Sequence, residues 1–420
     1  MKKCTFTIVA KNYIGLAQIL QKSVLRVNGD IDFFIFVADE LPRGLGVEDN
    51  VLVAREVLDI ASDVWTDMSF KYDLTEFCTS IKPACFEYVF ARGYEKAVYF
   101  DPDIFVFSSL NKIYDILDGY VMALTPQIAG VHVDYISEHP EWAMNVNGIF
   151  NLGFCAMRKC DRIANIIAWW KKRLIDNAFA DRSVGNFTDQ KWMDWMPGLL
   201  GTDGLYVFHD LGMNMAPWNF FERELVQENG DVCVRFRTED CRDGKIWPLV
   251  FIHFAGYDYA KLRNGEVCRK RIRNLREYED LQLATDVYCK AIVADRNVFD
   301  RFIDERYSYG SFPDGTVISS FHRRLYHGLV TNEGMKFSNP FSTGKGSFYE
   351  LLRKRKMLAV ENPDAVNRNN IGNLGRKRRA IGVLFSMLYS MMGYKRYVLF
   401  VKSLYDYCRP EWHGFLIRRK

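Results

Sequence analysis

The stretch KAVYFDPDIFVFSSL, residues 96–110, places two carboxylates between segments that belong in a core. Val98, Tyr99 and Phe100 form one apolar run, and Ile104 to Phe107 form another. Asp101 and Asp103 stand between them, separated by Pro102. Side chains at i and i+2 of an extended strand share a face, and Pro102 removes a backbone donor and stiffens the turn. The two acids are therefore expected to converge at the carboxyl end of a buried strand. Like charges there repel, and burial raises their pKa. A hard divalent cation, Mn²⁺ or Mg²⁺, relieves that conflict. Two other readings of the string stay open. One is a solvated Asp-Pro-Asp turn. The other is a phosphotransferase nucleophile of the DxDx[TV] type, which Phe105 in the Thr/Val position disfavours.

Outward from this segment the chain alternates strands and helices. FTIVA reads as a first buried strand. GLAQILQKSVLRV sets Leu16, Ile19, Leu20, Val24 and Val27 at helical spacing, and DFFIFVAD is a second strand ending in Asp39. Such a βαβ opening predicts a parallel sheet with ligands at the carboxyl ends of its strands. Further on, SLNKIYDIL aligns Leu110, Ile113, Tyr114 and Leu117 on one face. VMALTP continues as strand and turn. DRIANIIAWWKKRLI aligns Ile163, Ile166, Ile167, Trp170 and Leu174. PLVFIHFAG, residues 248–256, reads as one late strand that stops at His253 and Gly256. The fold class is therefore α/β, with a mixed, mostly parallel sheet flanked by helices and a mainly helical C-terminal extension. Charged and loop-rich sequence after about residue 275 sets the expected boundaries: a first domain over 1–285, a loop-rich and helical subdomain over 286–350, and a basic helical tail over 351–420.

The 420 residues are 49% hydrophobic and 26% charged, the composition of an ordinary globular chain. The apolar run near the N-terminus breaks at Lys11 and Asn12, too early for a secretory leader. Ten scattered cysteines make no CxxC and no zinc spacing, which suits a reducing cytoplasm. From Ile371 to Lys420, 11 Lys or Arg stand against 2 Asp or Glu. That local +9 leaves −5 for the rest of a chain whose total is +4. Because the basic residues crowd one apolar-rich segment, nucleic acid is not an expected partner. The apolar stretch Ala380–Tyr394 is shorter than the roughly 20 residues of a spanning helix. Flanking clusters at Arg376–Arg379 and Lys395–Arg396 suit an interfacial helix on an anionic leaflet. A helix packed on the protein with a charged edge explains the same pattern equally well.

An apolar strand, a DxD, a second apolar strand and a helix together resemble the metal site of GT-A-fold glycosyltransferases. The resemblance is closest to the retaining group that includes bacterial lipopolysaccharide galactosyltransferases and glycogenin, and it spans roughly residues 4–262. In IVAKNY it implies that Asn12 and Tyr13, with Ala10 beside them, hold the uracil and ribose of a UDP-sugar. Asp39, ending FVAD, falls near the nucleotide, and Lys82 lies where that family carries a basic residue near the donor. FNLGF matches a Phe-Asn-x-Gly pattern at Phe150, Asn151 and Gly153, where sugar and acceptor meet. Asp189 and Gln190 match an Asp-Gln pair near the anomeric carbon, and Asn214, Trp218 and Asn219 face the acceptor. IHFAGYDYAK resembles the closing His-x-x-Gly-x-x-Lys-Pro-Trp of that group through His253 and Gly256. Here Lys261 comes two positions late and Pro-Trp is absent. The implied metal ligands are Asp101, Asp103 and His253. The implied activity is Mn²⁺- or Mg²⁺-dependent hexosyl transfer from a nucleotide-sugar, a UDP-sugar by resemblance, to a glycan or lipid-linked acceptor, as in bacterial surface polysaccharide synthesis. The expected location is the cytoplasm, with the tail docked at the inner face of the cell membrane. A sugar-nucleotide pyrophosphorylase would need a Gly-rich basic loop that KNYIGLAQ lacks. A non-catalytic sugar-binding protein of the same fold is the remaining alternative.

Overall fold

Thr5, Phe6, Thr7, Ile8 and Val9 are all buried, because their strand lies inside a sheet covered on both faces. The computed structural model describes residues 1–42, 44–134, 137, 139–237, 244–268, 278–359, 363–365 and 372–417. Cys241, Ile371 and Arg418–Lys420 fall outside them. In chain order the strands are β1 (Lys3–Val9), β2 (Asp32–Val37), β3 (Val51–Val53), β4 (Lys96–Phe100), β5 (Ile104–Val106) and β6 (Met122–Leu124). They continue as β7 (Phe154–Arg158), β8 (Leu205–Val207), β9 (Arg223–Glu228), β10 (Asp231–Phe236), β11 (Trp247–Pro248) and β12 (Phe251–His253). Seven of them form one sheet in the order β3-β2-β1-β4-β7-β6-β8. Its neighbours pair in parallel except where β7 runs against β4 and β6. This is the mixed, mostly parallel α/β architecture that the sequence predicts.

The helical faces read from spacing are the buried ones. Ile163, Ile166, Ile167, Trp170 and Leu174 are all buried on the helix Asp161–Asn177. Each such side chain contributes about 1.5–3 kcal/mol on burial. In the helix Ile14–Val27, Leu16, Ile19, Leu20 and Val24 are buried, while Val27 at the end is half-buried.

Two sequence expectations change in detail. The two apolar runs within residues 96–107 are two strands, and they belong to different sheets. β4 sits in the main sheet, and β5 leaves it to pair antiparallel with β12. Asp101–Asp103 is the corner between the two sheets, closed by Ile104 N donating to Asp101 O at 3.1 Å. The acids thus converge through a turn, not through strand alternation. PLVFIHFAG likewise splits. Pro248 pairs with Cys233 on β10, while Phe251–His253 pairs with Val106–Ile104 on β5. Apolarity alone marks both halves as core and says nothing of which partner each takes.

The chain forms two compact units, Met1–Ile60 with Leu74–Tyr307, and Ala61–Asp73 with Ser308–Lys420. In the second unit Phe70 is ringed by Phe312, Tyr326, Phe341 and Phe348 at 4.7–6.0 Å. The buried Arg323 guanidinium donates to the carbonyls of Ser69, Phe70, Tyr72 and Tyr309. It thereby satisfies acceptors at the C-terminus of the helix Ser62–Lys71, where a cation also complements the helix dipole. The tail helix Leu374–Tyr407 breaks at Gly393 (φ 69°, ψ 166°), a backbone conformation open only to glycine. The two halves fold back, bringing Phe385 and Tyr389 against Tyr397. No helix among the described residues is long and apolar enough to cross a membrane.

Candidate active site

Antiparallel pairing of β5 with β12 puts His253 opposite Ile104, directly beside Asp103. Phe254 N donates to Asp103 O at 2.8 Å, and His253 N donates to Met215 O at 2.8 Å. The register is locked on both sides of the imidazole. Its Nε2 lies 3.0 Å from Asp103 Oδ1 and 3.7 Å from Asp101 Oδ2.

The other imidazole nitrogen decides what Nε2 can do. Nδ1 lies 3.3 Å from Asn151 Oδ1. That oxygen also accepts from Gly153 N and from Asn214 Nδ2, each at 3.1 Å. Because a main-chain N–H identifies the acceptor end of the Asn151 amide, Nδ1 must carry the hydrogen. Nε2 then either gives a proton to the two carboxylates or offers its lone pair to a cation between them. This is the outer-shell arrangement that fixes a metal-binding histidine. One ligand atom from each of Asp101, Asp103 and His253 lies within 4.8 Å of the others. Bonds of about 2 Å to a common ion need separations of roughly 3–4 Å. The donor set, two carboxylates and one imidazole, fits Mn²⁺ or Mg²⁺ with positions left for other oxygen ligands.

Burial, mutual repulsion and nearby cations set the charge state of these groups. Burial raises the Asp101 carboxyl above its usual range, against the pull of Lys82 and His253, and Asp103 adds to the rise. Burial lowers His253, but Asp103 and then Asp101 outweigh it and leave the imidazole raised. Tyr99 hydroxyl donates to Asp101 Oδ1 and is itself held protonated by burial and by that carboxylate.

Gly153 explains the FNLGF string. A Cβ there would stand 2.6 Å from His253 Cε1 and Nδ1 and 2.9 Å from Asn151 Oδ1. The glycine lets the imidazole, and not only a substrate, approach the main chain. Gln190 completes this layer. Its Oε1 accepts from Leu152 N and Asn151 Nδ2, and its Nε2 donates to Asn147 O.

Two cavities flank the triad. One, of about 280 Å³, is lined by Ala10, Tyr13, Thr79, Tyr99, Asp101 and Asp103. Asn12 lies in the same turn, and its Oδ1 is buried without a hydrogen-bond partner. The other, of about 370 Å³, is lined by Gln127, Asn147, Arg182, Trp218 and Gly256, among others. Trp218 stands edge-on to His253 at 5.2 Å, with a buried Nε1 that lacks an acceptor.

The remaining residues singled out in the sequence sit further back. Asp39 is buried and accepts from Lys11 N at 2.8 Å, which shapes the turn before Tyr13. Lys82 and Asp189 are buried against each other at 2.5 Å. The Lys82 ammonium also lies 4.0 Å from the Tyr99 ring centre and donates to Leu152 O. Lys261 is exposed on the short helix Tyr259–Leu262 and lines neither cavity. Tyr99 and Thr125 are the supports that sequence reading missed. Thr125 Oγ1 accepts from Asn214 Nδ2 at 2.8 Å, and no local pattern marks a residue whose partner is 89 positions away.

No family model matches the chain. The uncharacterized protein YfnF of Bacillus subtilis (strain 168) is 24% identical over 258 residues, covering 60% of this chain and 80% of that protein. Solved structures similar to this chain include glycosyltransferases. Galactosyltransferase LgtC, in complex with donor and acceptor sugar analogs, is 15% identical and covers 69% of this chain and 95% of its own, with a TM-score of 0.39. The bifunctional glycosyltransferase WbbM is 14% identical over 72% of this chain and 52% of its own, also at 0.39. Mouse xyloside xylosyltransferase 1 is 13% identical over 51% and 88%, at 0.35.

Proposed function

We propose that the first unit is a metal-dependent glycosyltransferase that moves a hexose from a nucleotide-diphosphate sugar, a UDP-sugar, to a hydroxyl of a glycan or lipid-linked acceptor in bacterial surface polysaccharide synthesis. The observation that carries this reading is the triad. Asp101, Asp103 and an Nε2 freed by the Asn151 hydrogen bond meet between two cavities. Bound by these three residues, Mn²⁺ or Mg²⁺ would supply Lewis-acid stabilisation to a departing diphosphate. The residues around it divide the remaining work. The Tyr13 ring offers a stacking face to a pyrimidine, and the unpartnered Asn12 Oδ1 accepts from its edge. Ala10 leaves the room a base needs, and Asp39 holds the turn that carries all three. The unpartnered Trp218 Nε1 donates to a sugar or acceptor hydroxyl. Gly256 borders that second cavity, and the exposed Lys261 is free to meet phosphate oxygens from solvent. Asn151 and Gln190, backed by the Asp189–Lys82 ion pair, frame the anomeric centre. Transfer with retention follows the same reading, with the acceptor entering on the side the diphosphate leaves.

A panel of UDP-, GDP- and ADP-hexoses tests the reading with and without Mn²⁺. The expected result is slow hydrolysis of at least one UDP-hexose, which EDTA abolishes. Metal-independent hydrolysis, or none across the panel, would sink it. Binding without hydrolysis would instead fit a non-catalytic sugar-binding protein.

The tail supports a second part of the proposal, a cytoplasmic protein docked on the inner face of the membrane. Ile381, Val383, Leu384, Met387, Met391 and Tyr394 are each 54–81% exposed on the helical hairpin. Arg376–Arg379, Lys395 and Arg396 lie in the same element. Each basic residue near an anionic surface contributes about 1 kcal/mol. Truncation is a poor test, because Ile417 packs into the second unit's core. Leu384→Asp with Met387→Asp is the better variant. Sedimentation with phosphatidylserine vesicles should fall at least about tenfold relative to wild type. Equal sedimentation of both proteins, or equal binding of wild type to phosphatidylcholine vesicles, would rule docking out.

A further inference from the structure

We infer that a further groove, separate from the two cavities beside the triad and walled by the segment that follows Gln190, binds an extended glycan, so that the acceptor is an oligosaccharide of several residues and not a single sugar. The inference rests on the glycosyl-transfer reading for its place in the reaction. Its own evidence is separate.

The groove encloses about 960 Å³. That lies at the upper end of the roughly 300–1,000 Å³ typical of small-molecule sites, and exceeds what one hexose fills. Its walls combine aromatic faces with amides and charges, among them Asn177, Asn186, Lys191, Trp192 and Trp195. Trp169, Trp192 and Trp195 form a cluster, with Trp169 centred 5.9 Å from Trp192 and 6.2 Å from Trp195. The Arg173 guanidinium covers Trp169 at 5.8 Å. Trp192 Nε1 donates to Asn177 O, which also accepts from Asn186 Nδ2. The Trp192 ring is thereby held in place, while Trp195 presents 59% of its surface to solvent.

Indole faces fixed next to amide and charged groups match the two surfaces of a sugar ring, its apolar C–H face and its rim of hydroxyls. Neither a purely apolar lipid nor an anionic ligand uses both. The groove also joins the proposed sugar site physically. Lys191, Trp192 and Trp195 belong to the same 3₁₀ segment that begins at Gln190. Asp194 Oδ1 accepts from Ile149 N at 2.9 Å, next to Phe150 and Asn151. Lys191 bridges Asp194 Oδ2 and Asn145 O. A glycan held in the groove would therefore lie against the same segment that carries Gln190.

Isothermal titration of the full-length protein with linear gluco-, galacto- and manno-oligosaccharides of one to eight residues tests this. The titrations use no metal and no nucleotide, so a failure of the donor-site reading leaves them informative. At least one series should bind, with affinity rising tenfold or more from one residue to six. Trp195→Ala should weaken that binding at least tenfold, and Trp195→Phe should restore most of it. Because Trp195 is largely exposed, both variants should melt with wild type. The inference is overturned if no series binds, if affinity does not grow with length, or if Trp195→Ala binds as wild type does.

Discussion

Asp103→Asn should lower metal-dependent sugar turnover by at least about a thousandfold, equivalent to roughly 4 kcal/mol of transition-state stabilisation, while the fold persists. Asp103 Oδ1 is the carboxylate oxygen nearest His253 Nε2, at 3.0 Å. Asparagine keeps the shape and removes the charge. The structural role of this position lies in the main chain, where Asp103 O accepts from Phe254 N, and the substitution leaves that bond in place. Asp101 strengthens the argument. Its carboxyl is raised by burial first, and Asp103 adds repulsion. Removing the second charge relaxes that repulsion and also removes the acid that most raises His253, two opposed effects, so the metal-free variant should melt close to the wild-type temperature. Wild-type protein should be stabilised by millimolar Mn²⁺, and the variant should lose that shift. Turnover within tenfold of wild type, at matched metal, would take the acid pair out of the mechanism.

Much of this site is legible from local sequence because each part announces itself locally. Asp101 and Asp103 interrupt an apolar run, and His253 ends another. Buried strands cannot tolerate such residues without a partner, so the pattern points to one shared cause. What the sequence hides is pairing at a distance. The resemblance implies Lys82 near the donor and Asp189 near the anomeric carbon, yet nothing local shows that they are each other's counter-ion. The same limit applies to the fold. Ala61–Asp73 falls within the first domain expected over 1–285, yet its Phe70 joins a core whose other buried members begin at Phe312. Hydrophobic spacing reports that a face is buried and is silent on what buries it. The β9–β10 hairpin is a different case. Its turn is Asn229-Gly230, both at positive φ, a pairing that marks two-residue hairpins strongly.

Gly153→Ala carries the second large effect and separates two explanations of one residue. From the string FNLGF, the glycine serves substrate approach. From the geometry, it serves the imidazole. An added Cβ would lie 2.6 Å from two atoms of the His253 ring and 2.9 Å from Asn151 Oδ1. Neither neighbour can retreat easily. His253 is buried on a strand whose main chain is bonded to Met215 O, and Asn151 is tied to Gln190. Overpacking of this kind costs about 1–3 kcal/mol of stability. The functional loss should be larger. Once the ring moves, Nδ1 leaves Asn151, the tautomer is no longer fixed, and Nε2 no longer faces the acids. Disturbing such outer-shell contacts lowers metal affinity by about 10–100-fold, and here the ligand itself is displaced. The expected result is a loss of Mn²⁺ affinity of at least about a hundredfold, measured by titration calorimetry without nucleotide, with turnover falling at least as far. If the glycine served substrate alone, Mn²⁺ affinity would stay at the wild-type value and only KM for donor or acceptor would rise. Unchanged metal binding in Gly153→Ala would therefore mean that His253 is not held where the metal reading needs it, whatever happens to the rate.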